Sequence, residues 1–233
     1  MARRLSAAGH RVALVARSGQ ELSTVAAELP GPSLVIQADI TAPGAEEHVF
    51  DEVERAWGPV EVLVLAAGAG SSAPLMRTTD EEWQRMLELN LTAPFRMLRR
   101  ALPAMVEAQW GRVVAIASVA AKRGEPYICA YTASKHGLLG LVRSAAREFA
   151  TTGVTVNAVC PAYVDTPMTD HTISVISATT GRTAEQAREA LERRQPIGRL
   201  ISVDEVADAV MLCVASPAIT GQGINVDGGA VQS

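Results

Sequence analysis

The chain has 233 residues, a formal net charge of −4 and 20% charged side chains, which suits one large α/β domain with a sizeable core. Its basic residues come at most in adjacent pairs such as Arg99-Arg100, so no nucleic-acid partner is expected, because a phosphate backbone calls for clustered cations. Three scattered cysteines (Cys129, Cys160, Cys213) and four histidines without ligand spacing predict reduced thiols in a cytoplasmic protein and no metal site. The first apolar run, Val12 to Ala16, is bounded by Arg11 and Arg17, and no segment is long enough to span a bilayer, so neither a signal peptide nor a membrane anchor is expected.

The chain opens on MARRLSAAGH, whose apolar spacing (Met1, Leu5, Ala8) and terminal Gly9 predict a helix that no strand precedes. Short apolar, β-branched runs then alternate with amphipathic stretches. Strands are predicted at 12–16, 34–38, 60–67, 113–118, 154–159 and 224–226, and helices near 20–29, 45–57, 80–108, 131–151 and 203–215. The helix at 80–108 should be kinked or broken at Pro94 and Pro103, and Gly153 should end the helix that begins near Tyr131. Thr79 with Glu82, Thr183 with Gln186 and Ser202 with Glu205 have capping-box spacing. Apolar strands without strict alternation belong in a parallel sheet covered on both faces, so the pattern predicts a doubly wound fold in a single domain, 1–233. Residues 165–200 are expected to form a lid over a substrate.

Only two lysines occur in the chain, and Lys135 lies four positions after Tyr131, itself thirteen after Ser118. Random placement would give a Tyr-x-x-x-Lys spacing only ~0.03 times. The chemistry of the trio is that of a carbonyl accepting hydride. Developing alkoxide charge needs a proton donor and a second hydrogen-bond donor to position the oxygen, roles that suit Tyr131 and Ser118. A free phenol titrates near 10, and a cation one helical turn away, Lys135, is expected to lower it. Singly, each residue has a plainer reading: Ser118 as a strand end, Tyr131 and Lys135 as a helix pair, Asn90 as a helix terminator.

Together with ADI at 38–40, LAAG at 65–68, LELN at 87–90, YTASKHG at 131–137, NAVCPAYVDTPM at 157–168 and ITGQGINVDGG near the end, these residues resemble the short-chain dehydrogenase/reductase superfamily over nearly the whole chain. The resemblance implies a Rossmann-type fold, a nicotinamide cofactor and a catalytic set of Asn90, Ser118, Tyr131 and Lys135. By the same resemblance Lys135 and Tyr131 also meet the cofactor and Asn90 anchors a water that connects the lysine to solvent. Asp39 and Ile40 would meet the adenine, although Asp39 would equally serve as a turn residue. Ala66, Ala67 and Gly68 would approach the adenosine ribose, and Pro161, Val164 and Thr166 the nicotinamide carboxamide. At the end of the first strand Ala16 stands where a carboxylate would accept the ribose hydroxyls of NAD, and Arg17 follows, so NADP(H) is preferred and NAD(H) is the alternative.

Three departures accompany the resemblance. The family's Asn-Asn-Ala-Gly is Leu65-Ala66-Ala67-Gly68, its Pro-Gly is Pro161-Ala162, and the first strand with its glycine-rich phosphate turn, about 20–25 residues, is missing. Loss of that central strand would leave two neighbours with unpaired backbone, so Met1 is expected to be an internal methionine of a longer natural chain. PIGRL at 196–200 and the final motif are similar to 3-oxoacyl-thioester reductases and polyketide ketoreductases. The expected activity is therefore reduction of a 3-oxoacyl thioester or related ketone. The alternatives are an NAD-linked alcohol or 3-hydroxyacyl dehydrogenase, or a non-catalytic binding or assembly subunit. The charged face of 180–194 would be solvated or would attract an anionic carrier. A homotetramer or homodimer through the helices near 92–108 and 131–151 is also implied.

Overall fold

A computed structural model describes residues 1–232. Six parallel strands form its centre: β1 (Val12–Ala16), β2 (Ser33–Gln37), β3 (Val62–Leu65), β4 (Gly111–Ile116), β5 (Val154–Pro161) and β6 (Gly223–Val226). They lie in two sheets, a pair β1-β2 and a four-stranded sheet in the order β3-β4-β5-β6. All eight residues of β5 are buried, as strands covered on both faces must be, and its register pairs Val113 with Val156 and Ala115 with Ala158.

One face carries α3 (Ala45–Trp57), α5 (Ala93–Glu107) and α6 (Cys129–Glu148), which pack Phe50, Met97, Met105, Leu138 and Val142 against Val113, Ala115 and Val156. The other carries α1 (Ala2–Ala7), α2 (Gly19–Ala27) and α9 (Val203–Ala215), which pack Leu5, Leu22, Val206 and Val210 against Val114 and Val159. This is the doubly wound arrangement expected from the alternating apolar runs. Between β5 and α9 two further helices, α7 (Pro167–Thr180) and α8 (Ala184–Glu192), enclose a small cluster of Ile173, Ala187, Leu191 and Leu200. No helix among the described residues is long and apolar enough to cross a membrane.

Several local expectations change. The long helix is divided not by its prolines but by a π-helical turn, Glu88–Thr92, between α4 (Asp80–Leu87) and α5. Pro94 falls in the first turn of α5, directly after the π turn, and α5 continues through Pro103. Thr183 with Gln186 and Ser202 with Glu205 form complete reciprocal capping boxes. At Thr79 only the hydroxyl half is present, because Glu82 turns its carboxylate to Arg85 at 2.8 Å.

Gly153 does not end α6, which stops at Glu148 and is capped by Phe149. It instead adopts φ +74 in the turn before β5, where an added Cβ would stand 2.0 Å from the Gln109 carbonyl oxygen. Both a left-handed φ and a backbone collision oppose any side chain there. Gly153→Ala should therefore lower stability by at least about 2 kcal/mol, read as a lower urea midpoint at unchanged m. An unchanged midpoint would show that the turn relaxes.

Candidate active site

The sheet delivers its chemistry at the carboxyl ends of the strands. Beyond β4 the backbone of Ser118 is extended, and its hydroxyl accepts the Ala120 N–H at 3.1 Å, starting a short 3₁₀ turn at Val119–Ala121. α6 then returns across the sheet and places Tyr131 and Lys135 one turn apart on its inner side. Lys135 is only 4% exposed. Its ammonium donates to the Ile116 carbonyl at 2.8 Å and lies 5.8 Å from the centroid of the Tyr131 ring.

Asn90, fully buried, sits in the π turn. Its Nδ2 donates to the Ala69 carbonyl at 3.0 Å and to the Ser134 hydroxyl at 3.2 Å, while its Oδ1 accepts the Ala69 N–H at 3.1 Å. That two-way clasp fixes the exit from β3 by one amide reaching over from the π turn, where the side chains of Leu65 and Ala66 offer none. Gly68 lies inside this arrangement, for a Cβ on it would come 3.0 Å from Asn90 Oδ1 and 3.4 Å from Lys135 Nζ. The structure thus brings Asn90, Ser118, Tyr131 and Lys135 together as the sequence predicts.

Electrostatics differ from the expectation. Burial pushes the Tyr131 phenol above its ordinary value, with the Ser118 hydroxyl opposing it, so the ammonium does not lower the phenol in this state. The ammonium is penalised too: desolvation pulls Lys135 from 10.5 to about 8. A charge in so dry a site is held by one carbonyl and is ready to gain from any anion formed beside it.

The cofactor candidates line the same edge. Arg17 is exposed immediately after β1, and Ala66, Ala67 and Gly68 lead out of β3 with the two alanines exposed. Asp39 acts as a turn residue: its Oδ1 accepts from the Thr41 N–H at 2.9 Å and hydroxyl at 2.7 Å, which hold its carboxyl below the usual range. Ile40 is half-buried beside it. Pro161 ends β5, and Val164 lies in the loop that leads to Thr166, at the N-terminus of α7. Among the described residues the non-glycine residues at positive φ are Gln109 and Tyr127, so Ala162 fits this loop without strain.

Sequence reasoning missed the side chain that anchors this loop. Gln195, 1% exposed, accepts the Tyr163 N–H at 3.1 Å and donates to the carbonyls of Tyr163 at 3.2 Å and Arg199 at 2.6 Å. It therefore imitates a neighbouring strand, and a Val164–Ile201 bridge continues the pairing. A lone glutamine between Arg194 and Pro196 gives no periodic signal. Ser134, which links Asn90 to the Tyr131 carbonyl, was more accessible, because it lies three residues after Tyr131 on the same helical face.

Comparison with known proteins agrees with this constellation. The model of the enoyl-(acyl carrier protein) reductase family matches residues 1–231. A putative ketoacyl reductase of Streptomyces coelicolor is 38% identical over 239 residues, covering 98% of this chain and 90% of its own. The 3-oxoacyl-[acyl-carrier-protein] reductase of Escherichia coli is 32% identical over 231 residues, again covering 98% and 90%. The solved actinorhodin polyketide ketoreductase with NADPH superposes with a TM-score of 0.95 at 36% identity, covering 98% and 90%. The chain belongs to the short-chain dehydrogenase/reductase family of oxidoreductases.

The lysine's depressed pKa has a measurable consequence. Between pH 8 and about 10 the unfolded chain keeps a proton on Lys135 that the native protein has lost, so this group adds stability as pH rises. Tyr131, Cys160 and Cys213, all raised by burial, act in the opposite sense at higher pH. Over pH 8–9 a comparison with Lys135→Met removes most of their contribution, since both thiols and the phenol stay protonated in the native state. The stability of the wild type relative to that variant should grow by about 1.4 kcal/mol per pH unit above pH 8, measured by urea unfolding. A pH-independent difference would mean that the ammonium is not desolvated.

Proposed function

We propose that this chain reduces a ketone, a 3-oxoacyl thioester or related carbonyl, to a secondary alcohol with NADPH. The observation that carries this reading is the convergence of Ser118, Tyr131 and the buried Lys135 where β4 and α6 meet. Bound NADPH would supply the hydride. The exposed Arg17 would meet the 2'-phosphate and the backbone of Ala66–Gly68 the adenosine ribose, with Asp39 and Ile40 towards the adenine. Pro161, Val164 and Thr166 would border the carboxamide. The fit of this edge to a dinucleotide is supported by Gly68, where the backbone runs so close to Asn90 and Lys135 that a side chain would fill the approach.

In this mechanism the Ser118 hydroxyl donates to the substrate oxygen and fixes its position. The Tyr131 phenol, kept protonated at neutral pH by burial, gives its proton to that oxygen as negative charge builds. Lys135 stabilises the phenolate left behind, and the gain is large because its own charge is poorly solvated beforehand. Asn90 holds Ala69 and Ser134 so that α6 and the β3 exit keep their distance.

α7 and α8 would cover the substrate. The charges of α8 are answered within the chain: Arg188 meets Asp165 at 3.2 Å and Glu192 at 3.1 Å, and Arg193 meets Glu189 at 3.1 Å. That favours a solvated face over a carrier site. Exposed Phe95 and Trp110 at the ends of the α5 segment support a homodimer or homotetramer.

Tyr131→Phe should lower kcat by about 10²–10⁴-fold with the NADPH dissociation constant little changed, measured by NADPH consumption and by fluorescence titration. Turnover at the wild-type rate would end the proposal. Arg17→Ser should weaken NADPH by ~10–100-fold while leaving NADH alone; equal effects on both would return Arg17 to the solvated surface.

A further inference from the structure

Where the lid helices meet the loop between Ser118 and Tyr131 there is a polar junction that the reaction described above does not use. Glu125 stands in that loop, and its Oε1 meets Arg123 at 2.7 Å. Arg123 in turn donates to the Ala230 carbonyl at 2.8 Å, which ties the loop to the C-terminal segment. The other carboxylate oxygen, Oε2, lies 3.8 Å from Arg194 Nη1, beyond hydrogen-bond reach. Arg194 follows α8, and the same Nη1 donates to the Tyr163 hydroxyl at 3.1 Å. Charge therefore draws Arg194 towards the catalytic loop while its hydrogen bond goes to a phenol.

Tyr163 is otherwise firmly fixed. Gln195 clasps its N–H and its carbonyl, and the carbonyl also accepts the Ile201 N–H at 2.9 Å. Its ring packs against the lid cluster of Ile173, Ala187, Leu191 and Leu200. A phenol has one donor and two acceptor sites. Arg194 takes one acceptor site, and the O–H meets no acceptor among the described residues. Ser118 shows a similar arrangement, for its oxygen is fixed by the Ala120 N–H. The Tyr163 phenol is also near enough to Tyr131 to oppose its ionisation. Two hydroxyl donors thus border the catalytic centre, one from the end of β4 and one from the loop after β5.

We propose that Tyr163, oriented by Arg194, is a substrate-recognising residue whose hydroxyl donates to a second carbonyl oxygen, so that the site selects 1,3-dicarbonyl compounds over simple ketones. The inference rests on the ketone reduction proposed above and supplies its preference among ketones. In a 3-oxoacyl derivative a single carbon separates the two carbonyl groups. With the reacting oxygen held by Ser118 and Tyr131, the other oxygen is left for a donor on the neighbouring wall. The guanidinium beside the phenol polarises its O–H and strengthens the bond it gives. A plain hydrocarbon chain in the same place would leave that half-buried donor unpaired, which disfavours it. Glu125 answers the charge of Arg194 and would repel a free carboxylate, so the junction suits a neutral ester or thioester carbonyl.

The test assays the intact chain with NADPH on ethyl 3-oxobutanoate and on cyclohexanone, which has no second oxygen. The ratio of kcat/KM for the ester to that for cyclohexanone should fall by about 5–50-fold in Tyr163→Phe, mainly through KM for the ester. Arg194→Met should lower the same ratio by about 2–10-fold, because the phenol stays but loses its hold. Arg194→Lys, which still offers a donor, should restore at least about half of that loss. An unchanged ratio in Tyr163→Phe, or equal losses on both ketones, would overturn the proposal and leave the reduction itself standing. So would a wild type that prefers 3-oxobutanoate to its ethyl ester, whereas a wild type that reduces neither ketone would remove both readings. Should Tyr163→Phe fail to fold, the two Arg194 variants decide the matter, since that side chain is half-exposed.

Discussion

Everything in this molecule hangs on the parallel pairing of β4 with β5. Val113, Val114, Ala115, Val156, Ala158 and Val159 are all fully buried, so this pair is the one place where both helical layers meet the same backbone. Its six register pairs leave no room for slippage, because a shift of one residue would send Val113 and Val114 to opposite layers. The pair also sets the site: Ser118 follows β4, Pro161 closes β5, and α6 is seated on both through Leu138, Leu139 and Val142. Position is inherited from the core, and only the last few residues of each strand are free to do chemistry.

That origin explains how so costly a group as the Lys135 ammonium is tolerated. The side chain is buried, and its charge is answered by the Ile116 carbonyl. An ordinary carboxylate partner would satisfy it better but would also neutralise the charge that a phenolate needs. The depressed pKa and the single carbonyl are two views of one design, in which electrostatic free energy is withheld from the folded ground state and becomes available when an anion forms nearby.

Much of this was legible beforehand because the strands are written as continuous β-branched runs and the reactive residues as a fixed spacing on one helix. Tyr131 and Lys135 needed only the helical repeat to be placed together. Ser118 needed in addition that the run at 113–118 be a strand, and β4 proved to start two residues earlier, at Gly111. The π turn around Asn90 was not legible. The local sequence ELNLTAPF contains a proline, and the natural reading puts the break there, whereas the π turn centres on Asn90, whose amide clasps Ala69, 21 residues away. Gln195 was hidden for the same reason, since its partners are the backbone of Tyr163 and Arg199 and backbone carries no side-chain signature. The direction of the Tyr131 shift was misread because spacing reports which groups are neighbours but not how much water is excluded, and here exclusion wins.

The divided sheet joins these points. β1 leads outward to β2 and β3 leads outward to β4, so the connection reverses at the gap between them, which is where ligands of open α/β sheets bind, outside the carboxyl ends of the strands. Arg17 belongs to one sheet and Gly68 to the other. Any dinucleotide held by both must span the gap, and its affinity depends on how firmly the separation of the two edges is fixed. At the base the Arg11–Trp57 contact fixes it; at the carboxyl end only the helical layers do.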